Sequence, residues 1–354
     1  MSKKIVYLIG AGATQADLNY LGGERINLLM RNYPELGDGL CCTVLNKTSR
    51  FKNLGIKKSK SEEIDIEKLI SLFENSGIKK YIEVAEELRN HYYNEIVKIL
   101  LKKEILKNPC LAICLLEMHR YIKVEIEQLS GIINLNHDCL FQVASQKLYN
   151  GINIGFEFIS SSFKPDNDAP LLVKLHGSFN WIKGLPIKII RLNQIRSDSS
   201  EILFIPPTII KESKGYPFNK LTGIAYEILS KKCDILRIIG CSLSQNDWDI
   251  ISLIFNSQYM QWLFNKKCFR IELIMSPKSC ARIKREYSYF QNIIPIQFLR
   301  DGDFEAYKQE EIYRSAELGN PFSYWLKTKA EYHLNRGEID LNQKKTKLKG
   351  IIER

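Results

Sequence analysis

Lys4-Ile5-Val6-Tyr7-Leu8-Ile9-Gly10-Ala11-Gly12-Ala13-Thr14 stands near the start of the chain. The run from Lys4 to Ile9 is short and β-branched and ends at a glycine turn, the pattern of a buried strand handing over to a helix. The same arrangement recurs downstream. Ile132-Ile133-Asn134-Leu135 ends at Asn136-His137-Asp138, and Leu171-Leu172-Val173-Lys174-Leu175 ends at His176-Gly177-Ser178. Ile235-Leu236-Arg237-Ile238-Ile239 ends at Gly240-Cys241-Ser242-Leu243. Strands are predicted at 131–135, 171–175, 202–205, 234–239, 270–275 and 294–299. Helices are predicted at 18–30, 139–149, 218–230, 248–264 and 278–289. This alternation predicts an α/β protein with a doubly wound, Rossmann-like, mostly parallel sheet.

One long block departs from the alternation. From 64 to 129, Leu69, Leu72 and Phe73, then Val84, Leu88 and Tyr92, recur at helical steps, with a break at Pro109. The block reads as a helical insertion, about 40–130, between the first two strands of the sheet. The region after Phe304 is helical and charged and shows no strand pattern, so 301–354 is expected to be a helical C-terminal extension to a domain of 1–300.

Of the 354 residues, 45% are hydrophobic and 26% charged, which is ordinary for a soluble globular protein. No signal-peptide pattern precedes the first strand, and no apolar run approaches the roughly 20 residues of a membrane helix. A cytoplasmic protein without a membrane segment is expected. The nine cysteines include no Cys-x-x-Cys pair, so no metal is expected and buried thiols are the simpler reading. Cys110 and Cys114 share the spacing of one helix face.

The net charge of +11 permits nucleic-acid contact without arguing for it. The compact clusters, Lys57-Lys58-Ser59-Lys60 and Lys344-Lys345 with Lys347 and Lys349, are not interleaved with aromatic residues.

All four turns fall at the carboxyl ends of predicted strands, the edge where open α/β sheets bind ligands. Gly10 and Gly12 let the backbone approach a phosphate or ribose, and the following helix would add partial positive charge. A dinucleotide-binding dehydrogenase would need glycine at position 15, where Gln15 stands, and an acidic residue about 20 residues on.

Asn136 and Asp138 have two readings. One of them caps the helix starting near Cys139, the commoner use of such residues. Alternatively, Asn136 presents its amide to a sugar or a water while Asp138 fixes the loop and His137 faces solvent. Of the histidines, His176 alone ends a parallel-type strand in a glycine turn, a position suited to a general base. His91 and His119 read as surface or packing residues. Gly240 and Ser242 could hold a ribose or phosphate, and Asp247 could cap the helix carrying Trp248.

In order, these segments resemble the sirtuin-like family: a Gly-Ala-Gly-x-Ser/Thr turn, an Asn-x-Asp, a His-Gly and a Gly-x-Ser-Leu. Spread over 10–247, they are most similar to the sirtuin-like domains of bacterial antiphage defence systems, which typically cleave NAD. The resemblance implies Asn136 and His176 as the catalytic pair. It places Gly10, Ala11, Gly12, Ala13 and Thr14 at the nicotinamide ribose and phosphates, and counts Asp138, Gly177 and Ser178 among the NAD-binding residues. Gly240 and Ser242 would hold the adenosine side.

NAD would be substrate, with no metal. Deacylating sirtuins carry a four-cysteine zinc module absent from this spacing, which argues against a deacylase. The position between Asn and Asp, often Tyr in the defence group, is His137. The resemblance further implies control through a homo-oligomer, a co-encoded partner such as a HerA-type ATPase, or a phage-derived trigger. An NAD-dependent deacylase or ADP-ribosyltransferase on the same fold, and a non-enzymatic nucleotide-sensing module, are the alternatives.

Overall fold

The computed structural model describes residues 2–20, 28, 39–54, 64–102, 110–195, 200–208, 215–295 and 320–339. Six strands, β1 (Lys3–Ile9), β2 (Glu127–Asn134), β4 (Leu172–Lys174), β8 (Ile235–Ile239), β9 (Arg270–Ile274) and β10 (Ile293–Pro295), form one parallel sheet ordered β10-β9-β8-β1-β2-β4. Taken in chain order, these strands run 3-2-1-4-5-6 across the sheet, the Rossmann order, with its reversal at β1. β1 is buried on both faces from Ile5 to Ile9, as a strand inside a helix-covered parallel sheet must be.

Helices flank the sheet. Between β1 and β2 come α1 (Ala11–Tyr20), α2 (Leu40–Lys47), α3 (Ser49–Lys52), α4 (Ile66–Glu74), α5 (Lys79–Lys102) and α6 (Cys110–Tyr121). After β2 follow α7 (Leu140–Tyr149), α8 (Phe218–Lys231), α9 (Trp248–Asn265), α10 (Pro277–Glu286) and α11 (Pro321–Asn335).

A second sheet departs from the sequence expectation. Strands β3 (Phe158–Ile159), β5 (Gly177–Ile182), β6 (Ile187–Ile189) and β7 (Ile202–Phe204) pair in the order β3-β6-β5-β7, with β5 antiparallel to both neighbours. The strand predicted at 202–205 therefore belongs to this sheet rather than the parallel one. Its short apolar run looks the same in either setting; only the pairing with β5 decides between them.

Other boundaries moved for local reasons. The helix predicted from 18 begins at Ala11, directly off the glycine turn, because Ala13, Thr14 and Ala16 pack inward. Gly22 and Gly23 lie outside the described residues. The block read as helical to 129 ends at Tyr121, and β2 starts at Glu127 rather than at 131. A buried glutamate carries no apolar strand signal.

That glutamate belongs to a charged cluster inside the sheet. Arg237, fully buried in the middle of β8, donates to both carboxylate oxygens of Glu127 at 2.8 and 2.9 Å, to Glu272 Oε2 at 2.9 Å and to the Tyr7 hydroxyl at 2.9 Å. Burial alone would raise the Glu127 carboxyl, but the charges of Arg237 and Lys329 hold it well below the usual carboxylate range.

Helix α11 closes over this cluster. Asn320 caps it by accepting from the Ser323 amide, Trp325 packs edge-on to Tyr7 at 6.1 Å, and Lys329 Nζ lies 2.8 Å from Glu127. Phe322, Trp325 and Leu326 join the same buried core as the strands. Ile339 then forms an antiparallel bridge to Ile122. The remainder of the strand predicted to 299, most of 301–354 and both lysine clusters lie outside the described residues.

Candidate functional site

β4, β2, β1 and β8 are consecutive neighbours in the sheet, so their carboxyl-terminal turns are brought side by side. The turn after β1 docks on the turn after β8. The Gly10 amide donates to the Ile239 carbonyl and the Gly12 amide to the Gly240 carbonyl, each at 2.9 Å. A Cβ on Gly240, which has φ +59, would stand 2.2 Å from the Ala13 nitrogen. One on Gly10 would stand 2.6 Å from Cys241 Cα. These glycines are therefore required first for backbone-to-backbone packing. Ala11 and Gly12 remain exposed at the start of α1, while Ala13 and Thr14 are buried.

The motif residues bond to one another. The Asn136 side-chain nitrogen donates to the Gly10 carbonyl at 2.8 Å and to Thr14 Oγ1 at 2.9 Å, and Thr14 Oγ1 donates to Asp138 Oδ2. The other Asp138 oxygen accepts from the Leu140 amide at 3.0 Å at the start of α7. Both sequence readings of this loop thus hold in part. Asp138 serves the helix start and also ties the loop to the glycine turn. Asn136 does not cap; half-buried, it has its amide nitrogen committed to the turn, leaving its side-chain oxygen as the atom suited to a ligand donor.

Lys174 is fully buried at the end of β4, and its ammonium donates to the Asn136 and Asp138 carbonyls at 2.6 and 2.5 Å. Burial lowers its pKa, opposed by the charge of Asp138. This lysine sets the curvature of the Asn136–Asp138 loop. The signal was present in the sequence as a lone cation inside an apolar strand run.

His137 does not face solvent. It is buried, with Nδ1 3.1 Å from the Tyr92 hydroxyl and its ring 5.2 Å from both Phe179 and Phe204. The second sheet and α5 supply this aromatic surround, which no reading confined to the local sequence contains. His119, read as surface or packing, is half-buried with Nε2 2.7 Å from the Tyr7 hydroxyl, and desolvation pushes its pKa down to about 3.

His176 lies at the same edge. Its Nδ1 is 3.2 Å from the Leu135 carbonyl and its Nε2 is 3.4 Å from Asp249 Oδ2. A carbonyl only accepts, so Nδ1 carries a hydrogen, and in the neutral ring Nε2 is the basic nitrogen. Gly177, with φ +77, lets β7 approach so closely that a Cβ would sit 2.4 Å from the Leu203 carbonyl oxygen. Ser178 is fully buried, bonding Gln142 Oε1 at 3.1 Å and the His137 carbonyl at 3.2 Å; its role is to hold the loop.

Ser242 is exposed, and its carbonyl accepts from Arg282. Tyr287 donates to the Leu243 carbonyl at 2.7 Å, so α10 braces this turn. Asp247 makes no side-chain cap to α9; its carboxylate bonds the amide and hydroxyl of Ser244 at 3.1 and 3.0 Å. A one-turn 3₁₀ segment, Gln245–Asp247, precedes α9 and moves the cap back to Ser244.

Asp249, in the first turn of α9, was not singled out in the sequence, where an acidic residue at a helix start reads as dipole compensation. Asp17 was also missed. It is buried, accepts from the Leu111 amide at 2.6 Å, and burial pushes its carboxyl up to about 7.

Among the described residues no helix is long and apolar enough to cross a membrane, and no group of His, Cys, Asp and Glu is placed to hold a metal. Among the described residues the cysteines are thiols rather than disulfides, and most are buried. No protein-family profile matches the chain, and no curated protein matches it significantly.

Proposed function

We propose that this chain is an NAD hydrolase of the sirtuin-like kind, releasing nicotinamide and ADP-ribose. The observation that carries the reading is the convergence of the Gly10–Thr14, Asn136–Asp138, His176 and Gly240–Ser242 segments at one edge of four neighbouring parallel strands. An elongated dinucleotide fits such an edge at a point of strand-order reversal. Ala11 and Gly12 at the α1 start would meet the nicotinamide ribose and phosphates, with Thr14, Asp138, Gly177 and Ser178 supporting. Gly240 and Ser242 would meet the adenosine side. In this reading the sheet is doubly wound, residues of about 40–130 are a helical insertion, and those beyond 300 a helical extension of a domain of 1–300.

The chemistry needs no metal. The pyridinium nitrogen withdraws the glycosidic pair, so the C–N bond breaks through an oxocarbenium-like state and neutral nicotinamide leaves. A water adds to the ribose carbon, and its proton passes to His176 Nε2 and then to solvent. The Asn136 side-chain oxygen orients that water or a ribose hydroxyl. The rigid bonding of Asn136, Thr14 and Asp138 supports the reading because it prepays the ordering of the loop. Unrestrained NAD loss would kill a cell, so we place the protein as a gated cytoplasmic effector of abortive antiphage defence, controlled by oligomerisation or a partner.

The test is nicotinamide release from NAD by the purified chain, alone and with the product of a neighbouring gene, beside His176→Ala and Asn136→Ala. Release lost in both variants, with unchanged circular dichroism, is the expected result. NAD bound but intact under both conditions would support a nucleotide-sensing module instead.

A further inference from the structure

The second half of α9 is built the wrong way round for a helix that meets water. A surface helix turns apolar residues inward and polar ones outward. Here the inward side carries Ser257, Gln258 and Gln261, all buried. Gln258 donates to the Phe269 and Gln291 carbonyls at 2.9 and 3.0 Å, and Gln261 to the Leu229 and Cys233 carbonyls at 3.0 and 2.7 Å. The outward side carries Trp248, Phe255, Tyr259, Trp262 and Leu263, exposed by 42% to 65%. At helical periodicity these five fall on one stripe about 100° wide. Tyr289 extends the patch, its ring 5.9 Å from that of Phe255, and Tyr259 stacks with Trp262 at 6.3 Å. From Ile250 to Asn265 the helix has no charged residue, although the chain carries a net charge of +11. Charge returns at Lys266, whose ammonium lies 4.7 Å from the Trp262 ring centre.

The area is that of an interface. At about 150–250 Å² for each aromatic side chain, the five half-exposed rings and Leu263 leave roughly 500–600 Å² open. A stable protein interface covers about 800 Å² on each partner, somewhat over half of it apolar. The patch supplies that apolar share by itself.

We infer that this face docks a second copy of the chain, with α9 packed on α9 across a two-fold axis. Two copies of a strongly basic chain repel one another, and they meet at least cost through a face without charge. A nucleic acid or an anionic membrane would select a face of lysines and arginines, which the stripe lacks. With the axis level with Ser257, the two helices run antiparallel. Phe255 then meets Tyr259 of the partner subunit, and Trp262 meets the small Ser252 of the partner subunit, bulk against gap. The inference holds whether or not the chain cleaves NAD, and it gives the oligomer proposed above a surface.

The experiment is light scattering of the full chain over about 1–100 µM, with the wild type beside Tyr259→Lys, Leu263→Lys and Tyr259→Phe. Tyr259 and Leu263 are about half exposed and lie outside the candidate site, so the variants keep the fold, which unchanged circular dichroism verifies. Two-fold symmetry brings each substitution into the interface twice. The expected result is a wild-type mass of at least two chains that falls by half or more in both lysine variants. Their dissociation constants should rise at least about a hundredfold, while Tyr259→Phe stays assembled. A wild type that remains a single chain at every concentration overturns the inference, including one that instead binds vesicles of anionic phospholipid. An oligomer whose mass the lysine variants leave unchanged overturns it too.

Discussion

Asp17→Asn should make the protein progressively more stable than the wild type as pH rises from about 4 to 7. Asp17 is buried in α1, and its carboxylate accepts from the Leu111 amide at 2.6 Å at the start of α6. Burial raises its pKa most strongly, the Leu111 and Ala112 amides lower it, and the charge of Asp138 raises it, leaving about 7 against an ordinary 3.8. The folded protein therefore prefers the neutral acid. That advantage is full below about 3.8 and is lost as pH climbs through about 7. At about 1.4 kcal/mol per unit, ionising Asp17 in the folded state costs up to roughly 4 kcal/mol.

Asparagine keeps the carbonyl acceptor for Leu111 and carries no charge. The difference in unfolding free energy between variant and wild type should be flat below pH about 4. It should then rise by at most about 1.4 kcal/mol per pH unit and level off above 7. Urea unfolding followed by tryptophan fluorescence at several pH values measures this, and titrations common to both proteins cancel in the difference. A difference that stays constant or falls with pH would refute the argument that desolvation dominates at Asp17.

Other expectations concern the sheet and its turns. Arg237→Met leaves Glu127 and Glu272 buried with less compensation and should cost about 3–5 kcal/mol in chemical unfolding; adding Glu272→Gln, which leaves Glu127 paired with Lys329, should recover part of it. A single variant as stable as the wild type would show that Lys329 alone suffices. Gly240→Ala places a Cβ 2.2 Å from the Ala13 nitrogen at a residue with φ +59, so a loss of more than about 1 kcal/mol is expected, together with lost nicotinamide release. Thermal unfolding beside the release assay checks it, and unchanged stability would mean that the two turns need not touch.

Most strands of the parallel sheet were legible because each contains a short, mainly apolar run that tolerates a single polar residue, such as Arg237 in β8 or Lys174 in β4, and such runs end at visible turns. The turns carrying Gly10, Asn136, His176 and Gly240 were legible for the same reason. Helix starts were less so. Asp247 was displaced from its expected cap by a 3₁₀ turn, and α1 begins earlier than its periodicity suggested, because local geometry at a turn outweighs pattern. Three features depend on contacts across large sequence separations and left little or no local trace. These are the second sheet around β5, the burial of His137 by Tyr92, Phe179 and Phe204, and the Arg237–Glu127–Lys329 cluster under α11.

The sequence by itself therefore determined the α/β class, the parallel strands and the turns in which chemistry could be sought, since these follow from short-range hydrophobic pattern and glycine placement. Only the tertiary structure decided what the turn residues do. A side chain's hydrogen-bond partners are set by which strands become neighbours. Strand order put Asn136 on Gly10 and Thr14, Lys174 beneath the Asn136–Asp138 loop, and Asp249 against His176.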